Sequence, residues 1–294
     1  MQTTLKKGMK ERAFDLFNTL FLLTICLTVI LPFLYIIAGS LSSSKALINN
    51  EVLLWPVDFS MENYVAVMQN DIFWRAFGVT IFVVTVGTLI NMIITVLMSY
   101  PLSKMWLRGR RLIMLILIFT MIFQAPLIPT YLVVKELSLL NTVWALIIPT
   151  ALSVFNVILC MTFMRSLPEE LFDAAKMDGM TELGILSRIV LPLSKPIMVT
   201  LLLFYAVGHW NNYFTALMYI TNPSIRPLQL YLYSLIVQSD VNETMASISE
   251  SAATVSPQGL QMATILVSTI PIVILYPLLQ KHFIKGAMLG SVKE

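Results

Sequence analysis

Residues 173–193 read DAAKMDGMTELGILSRIVLPL. The stretch carries Asp173, Lys176, Asp178, Glu182 and Arg188, yet it lies between two long apolar runs. Its spacing predicts two short helices. Upstream, Ser166-Leu-Pro-Glu169 has the S-x-x-E form of a capping box, with Pro168 in the first turn where its missing N–H costs little. Asp173 to Lys176 favour helix, and Asp178-Gly179 predicts a stop, because glycine enters the left-handed region without a Cβ penalty. Thr181 is placed to cap a second helix. In it Leu183, Leu186, Ile189 and Val190 recur on one apolar face, and Pro192 and Pro196 end it. Such an element either lies on lipid headgroups or inserts as a knob into a partner's groove.

Its surroundings are those of a membrane protein. The chain is 57% hydrophobic and 12% charged, with a mean hydropathy of +0.82; soluble domains carry roughly twice that charged fraction. The apolar residues fall in six blocks: 14–39, 73–103, 112–134, 143–164, 196–220 and 259–280. Each is long enough to cross a bilayer as a helix, so the expected fold is all-α with six transmembrane helices. The longer blocks predict tilts or kinks, with Pro32, Pro126, Pro129, Pro149 and Pro271 as kink points. The first block has no A-x-A cleavage site and reads as a retained helix. Cys26 and Cys160 lie in separate blocks, outside any CxxC pattern, and read as packing residues.

Charge sets the expected orientation. With the N-terminus inside, 15 of the 19 Lys and Arg residues fall on inner segments, and only Lys45, Arg75, Lys135 and Arg226 fall outside. This satisfies the positive-inside rule and predicts two cytoplasmic termini. The basic residues are explained by orientation, and no nucleic-acid patch is expected.

Catalytic signatures are missing. The sequence has no GxxxxGK[ST], no HExxH and no GxSxG, and its two histidines, His209 and His282, lie on different segments. An enzyme is not expected. Nor do the apolar blocks hold an Asp, Glu, Lys or Arg in their interiors. A gradient-driven secondary transporter or channel, the alternative reading, would commonly place an ionisable or unwound polar site there. Energy for transport would then enter from outside the membrane, which points back to residues 173–193.

The fifth block holds a dense polar and aromatic cluster: Tyr205, His209, Trp210, Asn211, Asn212 and Tyr213. Tyr205, His209 and Asn212 fall on one helical face. Aromatic rings stack on the C–H faces of sugars, and amides and imidazole pair with hydroxyls. The same residues would equally serve interhelical hydrogen bonding. Gln124, Tyr131 and Asn156 are weaker candidates for the path. Residues 221–257 read as an exposed outer loop.

The 173–193 stretch closely resembles the EAA signature of ATP-binding-cassette importer permeases, EAAxxDGAxxxxxFxxIxLP. Asp173-Ala174-Ala175 stands for EAA; Asp178-Gly179 follows at the required spacing; Ile189 and Leu191-Pro192 match the end. Asp173 replaces Glu, Met180 replaces Ala, and Leu186 replaces the aromatic residue. LLWPVDFSMENY, YPLSK, LIPTYLVVKELSLLNTVWALIIP, FYAVGHWNNYF and the tail FIKGAMLGSVKE extend the likeness to carbohydrate permeases of the maltose type, in particular the LplC-like subgroup.

The resemblance implies a type I importer permease fold in a bacterial cell membrane. Residues 1–72 would hold the N-terminus, first span and outer loop; residues 73–283 the permease core with its coupling loop at 166–195; and residues 284–294 a cytoplasmic tail. It implies a second permease chain, a dimeric ATPase that binds ATP and Mg, an extracytoplasmic solute-binding protein, and a carbohydrate substrate such as an oligosaccharide, including uronic-acid-containing ones. No cofactor is implied in this chain. Asp173, Ala174, Ala175, Asp178, Gly179, Leu186, Ile189, Leu191 and Pro192 would couple to the ATPase, with Leu186 as apolar plug. The tail from Phe283 would dock on the ATPase pair in an extended form, or simply fray.

Overall fold

A computed structural model describes residues 9–123, 125–246 and 256–289. Among the described residues the secondary structure is helical apart from an isolated bridge between Ser42 and Phe59. In chain order the α-helices are α1 (Met9–Ser40), α2 (Ser44–Ile48), α3 (Glu62–Met68), α4 (Asp71–Ser103), α5 (Arg110–Ile122), α6 (Leu127–Glu136), α7 (Trp144–Ile147) and α8 (Val154–Arg165). They continue with α9 (Glu169–Met177), α10 (Glu182–Ile185), α11 (Leu191–Leu193), α12 (Lys195–Trp210), α13 (Phe214–Tyr219), α14 (Leu228–Ala246) and α15 (Pro257–Leu289).

Three segments are each long and apolar enough to cross a membrane unbroken: Phe14–Ser40, Asp71–Ser103 and Pro257–Ile274. Three further spans qualify only as broken pairs, among them α5 with α6, and Trp144–Thr150 with α8 across a 52° bend. The breaks have local causes. Pro126 caps α6 in extended backbone, and Pro149 lies in the 3-10 turn Ile148–Thr150 ahead of α8. The fifth expected block does not run through to 220. Helix α12 stops at Trp210, and Asn212 Oδ1 accepts from the Thr215 N–H at 3.2 Å to start α13. The segment expected as an outer loop is largely α14, and the tail expected to be extended continues α15 through Leu289; residues 290–294 lie outside the described residues.

The chain divides into two compact units. In the first (residues 1–70 and 235–268) buried Asn63 donates through Nδ2 to the Ser40 and Ser42 carbonyls at 3.1 and 3.2 Å. These carbonyls leave the end of α1, where helical partners run out. The Ser256 N–H donates to Ser44 Oγ at 2.9 Å, and the Tyr64 and Ser40 hydroxyls pair at 2.9 Å. Two glycines let these pieces close: a Cβ would lie 2.2 Å from Met262 Sδ on Gly39 and 2.6 Å from Asn63 Oδ1 on Gly259.

The second unit (residues 71–234 and 269–294) is built on α4, which packs along both α8 and α12. One face of α4 carries Gly87, Asn91, Thr95 and Ser99, every fourth residue, all buried. Small and short polar residues let membrane helices approach closely and bond across the gap. Ser99 Oγ donates to the Val157 carbonyl at 3.0 Å, and Asn91 Nδ2 to the Thr150 carbonyl at 2.8 Å. Apolar layers fill the rest, among them Val96, Cys160, Met164, Ile185, Leu186, Val190 and Leu201.

Asn63→Ala should leave two buried carbonyls without a donor, at a cost of about 1–3 kcal/mol. A lower thermal midpoint for the detergent-purified variant than for Glu62→Ala, its exposed neighbour, is the expected result.

Candidate functional site

Residues 166–193 fold as a helix, an elbow and a second helix. The S-x-x-E cap does not form. Ser166 ends α8 instead, its hydroxyl donating to the Phe163 carbonyl at 2.7 Å, and α9 begins at Glu169 behind Pro168 without a side-chain cap. The elbow follows expectation. Gly179 has φ +73°, its N–H donates to the Lys176 carbonyl and the Met180 N–H to the Ala175 carbonyl, both at 3.0 Å. That pair of bonds is a Schellman ending, with Met180 packed back onto the apolar core. Thr181 caps the second helix, its Oγ1 accepting from the Gly184 N–H at 3.2 Å.

The second helix departs from its expected register. A π-helical turn occupies Leu186–Val190, just ahead of Pro192. Proline has no N–H for the carbonyl four residues back, here Arg188, and its ring crowds that carbonyl; a widened turn relieves both. The apolar face therefore runs through Ile185, Leu186 and Val190, with Ile189 and Leu191 partly buried against it. Leu186, expected as an exposed plug, is 6% exposed and packs inside this chain. Leu183 points out instead at 71%, and Met177, beside the elbow, at 89%. Ala175 is buried, whereas Asp173, Ala174, Asp178, Gly179 and Pro192 are exposed. Glu182–Leu193 meets α12 at 83°, so the second half of the element lies nearly square to the helix that follows it.

The element is tied to the end of α4. Tyr100 donates its hydroxyl to Glu182 Oε2 at 2.6 Å, and Lys176 Nζ stands 3.5 Å from Glu182 Oε1. Lys104 Nζ sits 3.0 Å from the centre of the Phe172 ring. The Tyr100 hydrogen bond, aided by Lys176 and Lys104, holds the Glu182 carboxyl below its ordinary pKa. Its contribution is thus present above the ordinary glutamate pKa and fades as pH falls through the depressed one. Burial dominates at Lys104 and lowers its pKa, against the pull of Glu182.

A second feature is a cleft of about 250 Å³ among α4, α8 and α12. Tyr205, His209 and Asn212 line it as their spacing predicts, joined by Gly208, Phe204, Asn91, Thr150, Ser153 and Asn156. Thr95 and Tyr205 share a 2.6 Å hydrogen bond, and His209 Nε2 lies 3.3 Å from Asn91 Oδ1. Asn91 was not singled out in the sequence; its signal is a lone amide on the small-residue face of α4. Trp210 faces the other way, buried edge-on against Phe77 at 6.2 Å, because it is one residue past the His209 face. Tyr213 stacks on Tyr233 at 5.6 Å and Asn211 is exposed, both beyond the end of α12. Gln124 lies outside the described residues; Tyr131 stacks on Tyr219 at 6.1 Å, away from the cleft.

With this geometry in hand, known proteins are informative. The model of the family described as binding-protein-dependent transport system inner membrane component matches residues 7–288. The chain is similar to Protein LplC of Bacillus subtilis (strain 168), 46% identical over 96% of this chain and 95% of that one. It is also similar to the polygalacturonan/rhamnogalacturonan transport system permease protein YtcP of the same organism, 41% identical over 97% of this chain and 100% of that one. Among solved structures, a chain of a bacterial ABC transporter involved in the import of the acidic polysaccharide alginate superimposes with a TM-score of 0.88. The two are 35% identical over 95% of this chain and 100% of that one. The chain belongs to the binding-protein-dependent inner membrane component family. It is a membrane-embedded, non-catalytic permease with the type I importer fold.

Gly87 sets the width of the cleft, since a Cβ there would lie 2.6 Å from His209 Nε2. Gly87→Val should part α4 from α12 and lower the thermal midpoint of the purified protein by several degrees. Gly78→Val, on the same helix with open space around it, should leave the midpoint near that of the unmodified protein.

Proposed function

We propose that this permease pairs with a second permease chain to import an oligosaccharide rich in uronic acid, driven by a separate dimeric ATPase that binds ATP and Mg. An extracytoplasmic binding protein would deliver the substrate. The observation that carries the reading is the 166–193 element: a folded helical knob, braced from within, its second half set square to α12, with Met177 and Leu183 exposed on either side of the Gly179 elbow. A folded knob that presents Met177 and Leu183 at its elbow suits a partner's groove.

In this reading the knob and both termini are cytoplasmic, and the ATPase grips the knob through Met177, Leu183, Ala174 and Gly179. ATP binding draws the two ATPase subunits together and carries the knobs with them. The permease pair then rocks between inward- and outward-facing states, each favoured by a different ligand. The cleft would form part of the path. Its amides, hydroxyls and imidazole pair with sugar hydroxyls and carboxylates, and Phe204 and Tyr205 offer ring surface. Relatives that carry polygalacturonan, rhamnogalacturonan and alginate support the substrate class.

Two measurements test the reading. Reconstituted with its ATPase and binding protein, the complex should hydrolyse ATP faster with oligogalacturonides than with neutral maltooligosaccharides; equal or absent stimulation by oligogalacturonides would remove the substrate class. Separately, Leu183→Asp and Gly179→Val should leave the chain in the membrane but release the ATPase during purification. Valine at a positive φ costs about 1–3 kcal/mol of local strain. Leu186→Asp should instead lower the amount of folded chain, because it places a charge in the core.

A further inference from the structure

The knob and the cleft lie toward opposite ends of the α4 face. Tyr100, 7% exposed, stands at the knob end; Asn91 stands on the cleft wall, and Thr95 lies behind it, bonded to the lining residue Tyr205. About 14 Å of helix separates Tyr100 from Asn91 at 1.5 Å per residue. Both halves of the knob meet this end of α4. Phe172 of α9 lies under Lys104, and Glu182, the first residue of α10, accepts from Tyr100. Lys104 also lies 5.2 Å from the Tyr100 ring, so the two grips share neighbours.

We propose that the Tyr100–Glu182 hydrogen bond is the joint that passes movement of the knob to α4, and so to Asn91 on the cleft wall and to Tyr205 through Thr95. Tyr100 and Glu182 are then positioning residues for transport: neither touches the substrate, and each acts through the helix between. The proposal rests on the knob being the ATPase-coupling element.

Besides the apolar layer in which Ile185, Leu186 and Val190 pack with Val96, Cys160 and Leu201, two further routes lead from the knob to the cleft. One is the covalent path through Ser194 into α12, which carries Tyr205 and His209. That path turns through 83° and begins in a π-helical turn, so it bends where a stroke would have to be transmitted. The other is the cross-link to α4. There a buried tyrosine hydroxyl meets a carboxylate at 2.6 Å, a short charge-assisted bond. The α4 backbone is helical from Asp71 to Ser103, and its far partners are fixed through Asn91 to Thr150 and His209 and through Thr95 to Tyr205. A push on Glu182 would therefore bear on α4 and load the hydrogen bonds that hold it to α12 and to the turn before α8 at the cleft. A stroke delivered through α12 alone has no need of Tyr100.

The test uses the full complex in liposomes, with solute transported per ATP hydrolysed as the readout. Tyr100→Phe removes the hydroxyl and keeps the ring; Glu182→Ala removes the acceptor; Glu182→Gln keeps an acceptor oxygen. Tyr100→Phe and Glu182→Ala should each retain the ATPase yet lower transport per ATP by about fivefold. The double variant should be no worse than the worse single one, and Glu182→Gln should recover most of the ratio. An unmodified ratio in Tyr100→Phe, or additive losses in the double variant, would overturn the joint while leaving the ATPase-coupled reading intact. Transport that falls only in step with assembled complex would assign the pair to packing and overturn the joint as well. If the unmodified chain retained no ATPase, the functional reading would fail and the joint with it.

Discussion

The close approach of α4 to α12 at Gly87 is the constraint on which the second unit depends. With no side chain at that position, the His209 ring occupies the space a Cβ would need and reaches Asn91 one turn along. Interior membrane helices cannot lean on water, so each polar group between them must find a protein partner. Asn91, Thr95 and Ser99 find theirs on α12 and α8 or the turn before α8. One face of one helix thereby fixes the packing of two others, and the next residue after it, Tyr100, reaches the knob.

The sequence made the architecture legible because the bilayer imposes length and apolarity together. Six apolar blocks stand in the sequence, and among the described residues up to six spans qualify by length and composition if each broken pair is one span, though one of those pairs joins Glu182–Leu193 of the knob to α12. What composition concealed was continuity. Nothing in apolarity marks the turn at Asn211–Tyr213, where a side chain of the block itself starts the next helix. Helix α14 was hidden because its mixed polar and apolar residues do not form a clean stripe.

The knob shows the same division at the scale of single residues. Gly179 and Thr181 were readable, since a left-handed elbow and an N-cap each demand a particular chemistry at one position. Leu186 was not. The resemblance implies an exposed plug, whereas Leu186 packs into this chain's own core with Ile185 and Val190. Trp210 shares a segment with His209 but not its face, and packs on Phe77 instead. Asn91 went unnoticed because a lone amide in an apolar block looks like packing until the histidine facing it is known.

In the proposed complex residues 166–193 form a folded knob seated in an ATPase groove. Cysteine cross-linking tests it most directly, on a chain with Cys26 and Cys160 replaced by alanine. Cys160 is buried and Cys26 exposed, so both substitutions need an assembly check first. A cysteine placed at Leu183 or Met177 and alkylated with a short thiol-reactive photo-crosslinker should join to the co-assembled ATPase on illumination, and one placed at Leu186 should not. Cross-linking at Leu186 but not at Leu183 would contradict the geometry. No cross-link from any of the three positions, with the complex intact, would contradict the claim that this element meets the ATPase at all.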